Sequence, residues 1–169
     1  FMERWPDVEL VVQESEVRRI KAHEYTGQGV RMVSDVSDCD VLIGVKEVNA
    51  EDLIEGKTFL FFSHTYKQQP YNAKLLAAIL EKKVSLIDYE VLTKPDGRRI
   101  IGFGRWAGIV GAYNGLRAWG LREKDFQLPR AIDGKDLNEM IEAVKSTEMP
   151  KGLKIVLTGY GTSGSSGED

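Results

Sequence analysis

The feature that most restricts the fold of this chain is a series of short, β-rich apolar runs separated by helical patterns. The predicted strands are Val8 to Gln13, Asp40 to Val45, Thr58 to Phe62, Val84 to Asp88, Arg98 to Phe103 and Leu153 to Thr158. Several of these runs are continuously apolar, which is typical of strands that are covered on both faces. The pattern predicts an α/β fold with a mostly parallel sheet flanked by helices.

Two helices are predicted between and after these strands. The segment Pro70 to Lys83 begins with a proline, which suits a first helical turn, and its leucines and isoleucine share one stripe. It is expected to pack on the sheet. The segment Asp133 to Ser146 has a second apolar face, with Asp133 as its predicted N-cap.

The segment Gly104 to Gly120 carries a seam of small residues. They recur at Gly104, Ala107, Gly108, Gly111, Ala112 and Gly115. Each glycine costs a helix about 1 kcal/mol relative to alanine, so close approach of another backbone or a ligand is the expected compensation. Tight internal packing and a domain or subunit contact both remain open, and the latter predicts a homo-oligomer through this helix.

Composition excludes several classes of partner. The net charge of the 169 residues is −3 and both signs are mixed along the chain, so no nucleic acid and no anionic membrane are expected to bind. No apolar run approaches the ~20 residues that span a bilayer. The single Cys39 forms no internal disulfide, so a reducing cytoplasm is expected. No metal is predicted, because His, Cys and carboxylate residues do not cluster at regular spacing.

Polar side chains follow three successive apolar strands. Lys46 follows the first, His64 the second and Glu90 the third. Ligands of parallel α/β sheets bind beyond the carboxyl ends of the strands, so these three residues are expected to converge there as an acid/base set. The alternatives are a solvated lysine, a structural histidine and a surface carboxylate or ion-pair partner.

A predicted β-turn at Lys94 to Gly97 precedes two arginines, Arg98 and Arg99. Adjacent residues of a strand point to opposite faces, so one arginine can face a site while the other faces solvent. An inward guanidinium suits a dicarboxylic substrate, because it binds a carboxylate with two parallel hydrogen bonds. An ion pair with Asp88 or Glu90 is the structural alternative.

The predicted strand Leu153 to Thr158 leads into a G-x-G-x-x-G string formed by Gly159, Gly161 and Gly164. Such glycines let a dinucleotide backbone turn approach the pyrophosphate of NAD or NADP. No helix pattern follows, and a flexible Gly/Ser tail is the alternative. We therefore predict a substrate-binding domain at 1–150 and the start of a truncated Rossmann domain, or such a tail, at 151–169, without measurable NAD(P) affinity on its own.

Five strings of residues stand in register over roughly residues 8 to 120. They are Gly44 to Glu47, Phe61 to Gln69, Leu86 to Glu90, Gly97 to Arg99 and Phe103 to Gly108. Together they resemble the lysine-forming saccharopine dehydrogenases and the related lysine-ketoglutarate reductase domains, with alanine dehydrogenase and nicotinamide nucleotide transhydrogenase as wider relatives. The string His64-Thr65-Tyr66-Lys67 favours the saccharopine branch.

The resemblance implies a two-domain, NAD(P)-dependent oxidoreductase. Its substrates would be lysine, 2-oxoglutarate and saccharopine, the secondary amine that joins them, bound in a cleft beside a Rossmann domain. The catalytic lysine of the family falls on Lys46, its catalytic histidine on His64, and the glutamate that tunes both on Glu90. A second lysine near the site falls on Lys67, and the arginine that holds the oxoacid carboxylate falls on Arg99.

Two departures from the family pattern qualify these implications. The family has an arginine-containing strand before the position of Phe1, and a complete Rossmann domain after the glycine turn. The 169 residues alone are therefore expected to be an inactive fragment. The alternatives are an alanine dehydrogenase-like enzyme and a non-catalytic module that binds a ligand or pairs with a subunit.

Overall fold

The computed structural model describes residues 2–159 and 161, and the chain divides into two compact units, Phe1–Ile101 and Gly102–Asp169. The strands of the first unit are β1 (Val11–Gln13), β2 (Arg31–Val33), β3 (Val41–Ile43), β4 (Thr58–Phe61) and β5 (Ser85–Asp88). Its helices are α1 (Ala22–Thr26) and α2 (Ala73–Glu81). The second unit holds α3 (Gly104–Glu123) and α4 (Leu137–Ser146). The domain boundary at residue 150 stays a prediction.

All strand pairs of the first unit are parallel. One sheet pairs β1 with β2, and the other has the order β3-β4-β5. In the second sheet Phe59 lies opposite Leu42 and Leu86, and Phe61 lies opposite Asp88. The predicted α/β fold with parallel strands flanked by helices is confirmed, and the carboxyl ends of β3, β4 and β5 meet at one edge.

The core of the first unit lies between β4 and α2. Phe59 and Phe61 of β4 are 3% and 0% exposed, and their rings meet edge to face with centroids 6.3 Å apart. Leu75 and Ile79 of α2 pack against them. The predicted helix is confirmed, and it begins with a 3-10 turn at Pro70–Asn72. Burial of these side chains fixes the position of β4, the central strand of its sheet.

The other face of this three-stranded sheet is open. Val41, Ile43 and Ile87 are 51%, 72% and 39% exposed. Successive side chains of a strand point to opposite faces, and α2 covers only the face that carries Phe59 and Phe61. The prediction that these apolar strands are covered on both faces is therefore wrong for the described residues.

Two predicted strands do not form. The first is Arg98 to Phe103. The turn before it closes tightly, with Gly97 N donating to Lys94 O at 2.9 Å, and only one antiparallel bridge follows, between Thr93 and Arg99. Gly97 has a φ of +81°, the left-handed conformation that this turn needs. Residues 153–158 form no strand either, because none of the described residues pairs with them.

The second unit packs α3 and α4 around Tyr113, Phe126 and Leu128, which are buried. The predicted helix at Asp133 to Ser146 is confirmed, but its N-cap is Asp136, whose carboxylate accepts a hydrogen bond from Glu139 N at 3.0 Å. Asp133 is not the cap, because it ends a preceding 3-10 turn. None of the helices in the described part of the chain is long and apolar enough to cross a membrane.

The small residues of α3 have unequal surroundings. A Cβ on Gly120 would lie 2.6 Å from the ring of Phe126 and 2.7 Å from its carbonyl oxygen. A Cβ on Gly111 or Gly115 would meet nothing within 4 Å. Close backbone approach therefore occurs at Gly120, beyond the predicted seam, while these two seam positions stay open.

Candidate functional site

The candidate site lies at the carboxyl ends of three neighbouring parallel strands. Lys46 follows β3, His64 follows β4 and Glu90 follows β5. Since these strands run in the same direction, all three residues lie at one edge of the sheet. The shared edge is the geometry that the sequence predicted.

His64 lies where the chain leaves the central strand. It has φ 57° and ψ 4°, in the left-handed region that a histidine occupies only rarely. A 3-10 turn at Thr65–Lys67 follows, with Lys67 N donating to His64 O at 3.2 Å. This turn carries Lys67 back toward the imidazole, so both side chains face the end of β5.

Glu90 is the centre of the cluster, and its side chain is 1% exposed. Its Oε2 lies 2.7 Å from His64 Nδ1, and its Oε1 lies 2.9 Å from Lys67 Nζ. Arg99 Nη2 is 3.6 Å from the same Oε1 and 3.5 Å from Tyr66 Oη. One buried carboxylate thus meets three basic side chains that come from two different loops.

The charges of Glu90 and Lys67 stabilise each other. Burial alone raises the pKa of Glu90, but hydrogen bonds from Lys67 and His64 outweigh it, so the pKa lies below its ordinary value. The hydrogen bond to Glu90 likewise raises the pKa of Lys67 above its ordinary value. Glu90 is therefore ionised and Lys67 protonated at neutral pH.

The position of the proton on His64 follows from these charges. A carboxylate oxygen 2.7 Å from Nδ1 requires a proton between the two atoms, and the ionised Glu90 has none to give. Nδ1 therefore donates to Glu90, and the ammonium of Lys67, whose Nζ lies 2.9 Å from Nδ1, donates to Glu90 and not to the imidazole. The other nitrogen, Nε2, lies 3.5 Å from Glu47 Oε1. Nε2 is the atom through which this imidazole can exchange a proton with a bound molecule.

The remaining predicted residues are placed as follows. Lys46 is exposed, and no hydrogen bond or ion pair joins it to His64 or Glu90 in the described structure. Arg98 pairs with Asp96 at 2.6 Å, whereas Arg99 turns toward Glu90. The ion pair with Glu90, one of the two roles open for the inward arginine, is thus present.

Glu47 and Tyr66 were not among the predicted site residues, yet both belong to the cluster. Glu47 directly follows Lys46 at the end of β3, so its position in the sequence predicts the same sheet edge. The tyrosine lies between His64 and Lys67 in sequence, and the cation of Lys67 is 6.0 Å from the centre of its ring. Its proximity to Arg99 joins residues 33 positions apart and has no local sequence signal.

The predicted cofactor glycines lie in the other unit. Gly159 has a φ of +91°, a conformation that fits the tight turn of a G-x-G-x-x-G string. A Cβ on Gly159 or Gly161 would meet nothing within 4 Å. Gly164 lies outside the described residues.

The sequence matches the family described as Alanine dehydrogenase/PNT, N-terminal domain, over residues 5–110. It is 40% identical over 113 residues to the mitochondrial alpha-aminoadipic semialdehyde synthase of Mus musculus. The aligned residues are 67% of this chain and 12% of that protein. The alpha-aminoadipic semialdehyde synthase of Arabidopsis thaliana is 36% identical over 68% of this chain and 11% of its own length.

A saccharopine dehydrogenase [NAD(+), L-lysine-forming] of Yarrowia lipolytica is 26% identical over 158 residues, 87% of this chain and 43% of that protein. The chain therefore spans about an eighth of the semialdehyde synthases and less than half of this dehydrogenase.

Proposed function

We propose that this chain, which belongs to the alanine dehydrogenase/PNT N-terminal domain family, is the substrate-binding part of a saccharopine dehydrogenase-like oxidoreductase. The relatives named above are oxidoreductases of lysine metabolism. The proposed substrate is the secondary amine that joins lysine to 2-oxoglutarate. The observation that carries the proposal is the buried Glu90, which holds His64, Lys67 and Arg99 at one sheet edge.

The charges of this edge suit an acidic substrate. The side chains of Lys67 and Arg99 remain 37% and 47% exposed although both contact Glu90. Each has more donors than the single Glu90 oxygen they share can accept, and the surplus donors can bind a substrate carboxylate. In this proposal Arg99 supplies the bidentate contact and Lys67 a second positive charge.

Proton transfer is assigned to Lys46 and His64. The reaction requires removal of a proton from the substrate amine, and later activation of the water that adds to the resulting imine. His64 offers Nε2 for this exchange, because Glu90 occupies Nδ1. Lys46 lies at the same edge and is the second proton carrier of the proposal.

NAD or NADP is the proposed cofactor, and the families to which the relatives belong are NAD(P)-dependent. When bound, the nicotinamide supplies hydride exchange with the substrate carbon. Gly159, Gly161 and Gly164 are the residues proposed to contact its pyrophosphate. The open, positive-φ backbone at Gly159 supports that assignment.

Steady-state kinetics of the full-length protein test the proposal, with lysine, 2-oxoglutarate and reduced nicotinamide as substrates. Arg99→Ala removes a contact made in both the ground and transition states, so the KM for 2-oxoglutarate should rise strongly while that for lysine moves much less. Lys46→Ala and His64→Asn should lower kcat by about 10²- to 10⁴-fold. Asparagine is used at residue 64 because it tolerates the left-handed backbone.

The neighbouring arginine provides a matched control. Arg98 pairs with the exposed Asp96, so Arg98→Ala should leave both KM values unchanged. Turnover of pyruvate and ammonia without any response to lysine would transfer the proposal to an alanine dehydrogenase-like enzyme. An unchanged kcat in His64→Asn would remove the histidine from catalysis.

A compartment and an assembly state complete the proposal. We propose a reducing compartment such as the cytoplasm, supported by the single free Cys39; the mouse relative is named as a mitochondrial protein. We also propose a homo-oligomer through the Gly104 to Gly120 helix, supported by the open space at Gly111 and Gly115.

A further inference from the structure

A second buried carboxylate lies directly beneath the candidate site. Asp88 is the last residue of β5 and is 7% exposed. Its Oδ2 accepts a hydrogen bond from Ser63 Oγ at 2.5 Å. Its Oδ1 accepts hydrogen bonds from Glu90 N at 2.9 Å and from Ser63 N at 3.4 Å. The side chain thus joins the end of β4 to the loop that carries Glu90.

Ser63 extends this connection around His64. It is fully buried, and its Oγ accepts a hydrogen bond from Thr65 N at 3.0 Å and lies 2.7 Å from Thr65 Oγ1. Residues 63 and 65 flank the histidine, so both sides of His64 are hydrogen-bonded into one network that ends at Asp88. The same network includes the backbone N–H of Glu90, the residue whose carboxylate contacts the imidazole.

Packing alone does not account for a carboxylate at this position. A buried charge is costly unless it is paired and hydrogen-bonded. Within the described residues, every hydrogen bond to Asp88 comes from a neutral donor, either a backbone N–H or the Ser63 hydroxyl. The arginine of this edge, Arg99, lies by Glu90 instead. Asp88 therefore accepts hydrogen bonds from the loops of Ser63 and Glu90 and joins the two loops.

The backbone of His64 needs such support. A non-glycine residue in a sparsely populated conformation persists only where its surroundings determine it. His64 has a φ of 57° and belongs to a different loop from Glu90, so the contact between them depends on the relative position of two loops. A displacement of either loop would break the 2.7 Å contact between Nδ1 and the carboxylate.

We propose that Asp88 is a positioning residue that, through Ser63 and the backbone of Glu90, fixes the tautomer and orientation of His64. The proposal rests on the proposed function only for its kinetic consequence. It predicts that neutral His64 is the Nδ1–H tautomer, and that this preference depends on a residue that does not touch the imidazole. Asp88→Asn replaces one acceptor oxygen by an amide donor, and Ser63→Ala removes the hydroxyl link.

The test is the ¹⁵N NMR spectrum of the histidine side chains in the full-length protein, with the His64 signal assigned from its loss in His64→Asn. Wild type should show Nδ1–H, and Asp88→Asn and Ser63→Ala should each show a mixture of tautomers. An unchanged tautomer in both variants, or Nε2–H in the wild type, would overturn the proposal. If Asp88→Asn fails to fold by circular dichroism, Ser63→Ala decides, because it leaves the carboxylate and the backbone donors in place.

Asp96→Asn is the matched control. Asp96 also accepts a hydrogen bond from the N–H two residues on, Arg98 N at 3.0 Å, but it lies in an exposed turn without a link to Ser63. The substitution Asp96→Asn should leave the ¹⁵N signals of His64 unchanged. A change as large as that of Asp88→Asn would show that the effect does not pass through Ser63.

Kinetics supply the second arm. Asp88→Asn should lower kcat at least tenfold with the KM for 2-oxoglutarate within twofold, and should have no further effect in a His64→Asn background. An equal loss in both backgrounds would assign Asp88 a structural role alone. If the wild type shows no turnover, the proposed function fails, whereas the tautomer measurement still decides the role of Asp88.

Discussion

Glu90 is the residue whose ionisation links the candidate site to the stability of the fold. Its pKa is lowered by Lys67 and His64 against the effect of burial, while the pKa of Lys67 is raised by Glu90. A lowered carboxyl pKa stabilises the folded state above the unfolded-state pKa, and this contribution is lost as pH falls through the folded-state pKa. A raised lysine pKa stabilises below its unfolded-state pKa, and the contribution is lost as pH rises through the folded-state pKa.

We predict that Glu90→Gln lowers the free energy of unfolding by about 1–3 kcal/mol at neutral pH, because it removes charge-assisted hydrogen bonds to a buried group. The difference from wild type should shrink below the ordinary glutamate pKa of 4.5 and above the ordinary lysine pKa of 10.5. Urea unfolding of both proteins across this pH range measures it.

Glu142→Gln is the control, because Glu142 pairs with Lys145 on an exposed helix face and such pairs contribute little. It should change the stability by less than about 0.5 kcal/mol at every pH. A wild-type advantage over Glu90→Gln that persists undiminished to pH 3 would contradict the ion-pair explanation.

The sequence was informative about which residues lie at the edge and uninformative about how they are held. Lys46, His64 and Glu90 follow apolar runs, and parallel strands bring such positions together. The left-handed backbone of His64 has no such signal, because only a small minority of non-glycine residues have a positive φ and no neighbouring residue marks this one. Burial of Asp88 likewise depends on Ser63, 25 positions away in the sequence.

At the scale of secondary structure, α3 shows that glycines in one helix serve different purposes. Gly120 allows Phe126 to approach the helix backbone, whereas Gly115 faces open space. Sequence alone treats both as costly interruptions of a helix. Only the packed structure tells which of the two is required.

We predict opposite signs for the same substitution at these two positions. Gly115→Ala should raise the free energy of unfolding by about 0.5–1 kcal/mol, because alanine loses less backbone entropy and meets no neighbour. Gly120→Ala should lower it by about 1–3 kcal/mol, since its Cβ would overlap Phe126.

Chemical denaturation followed by the circular dichroism signal of the helices measures the free energy of unfolding of both variants, and each variant is the control for the other. Destabilisation by Gly115→Ala would indicate that another surface packs on the seam in solution, as the proposed homo-oligomer requires. A neutral Gly120→Ala would contradict the close packing of Phe126.

Element prediction failed where elements are short or need a partner. The strand β2 has three residues and α1 has five, too few to show a period, and neither was predicted. Arg98 to Phe103 has strand composition, but it finds no partner strand in the described residues beyond one antiparallel bridge to Thr93. In contrast, Pro70 to Lys83 and Gly104 to Gly120 are long enough for sequence pattern to decide, and both form helices.

At the scale of the molecule, the three-stranded sheet has one covered face and one open face. Ile79 of α2 is 5% exposed within the core, whereas Ile43 of β3 is 72% exposed on the opposite side of the sheet. Sequence gives both residues the same weight as apolar positions. Their contribution to stability depends on what covers them.

Identical substitutions at these two isoleucines test the asymmetry. Ile79→Val should cost about 0.5–1.5 kcal/mol, the usual effect of a lost buried methylene. Ile43→Val should lie within about 0.5 kcal/mol of wild type, as is usual for exposed positions. Urea unfolding of the 169-residue chain measures both, and equal costs would mean that the open face is covered in solution.

The central position of β4 also predicts where loss-of-function mutations should cluster. Thr58 to His64 supplies the buried phenylalanines, the serine that reaches Asp88 and the imidazole, all within seven consecutive codons. A random library selected for loss of function should therefore concentrate its missense hits in this stretch. Measuring the abundance of each variant protein would separate the hits by position. Variants of Phe59 and Phe61 should be depleted, whereas variants of His64 should be abundant but inactive.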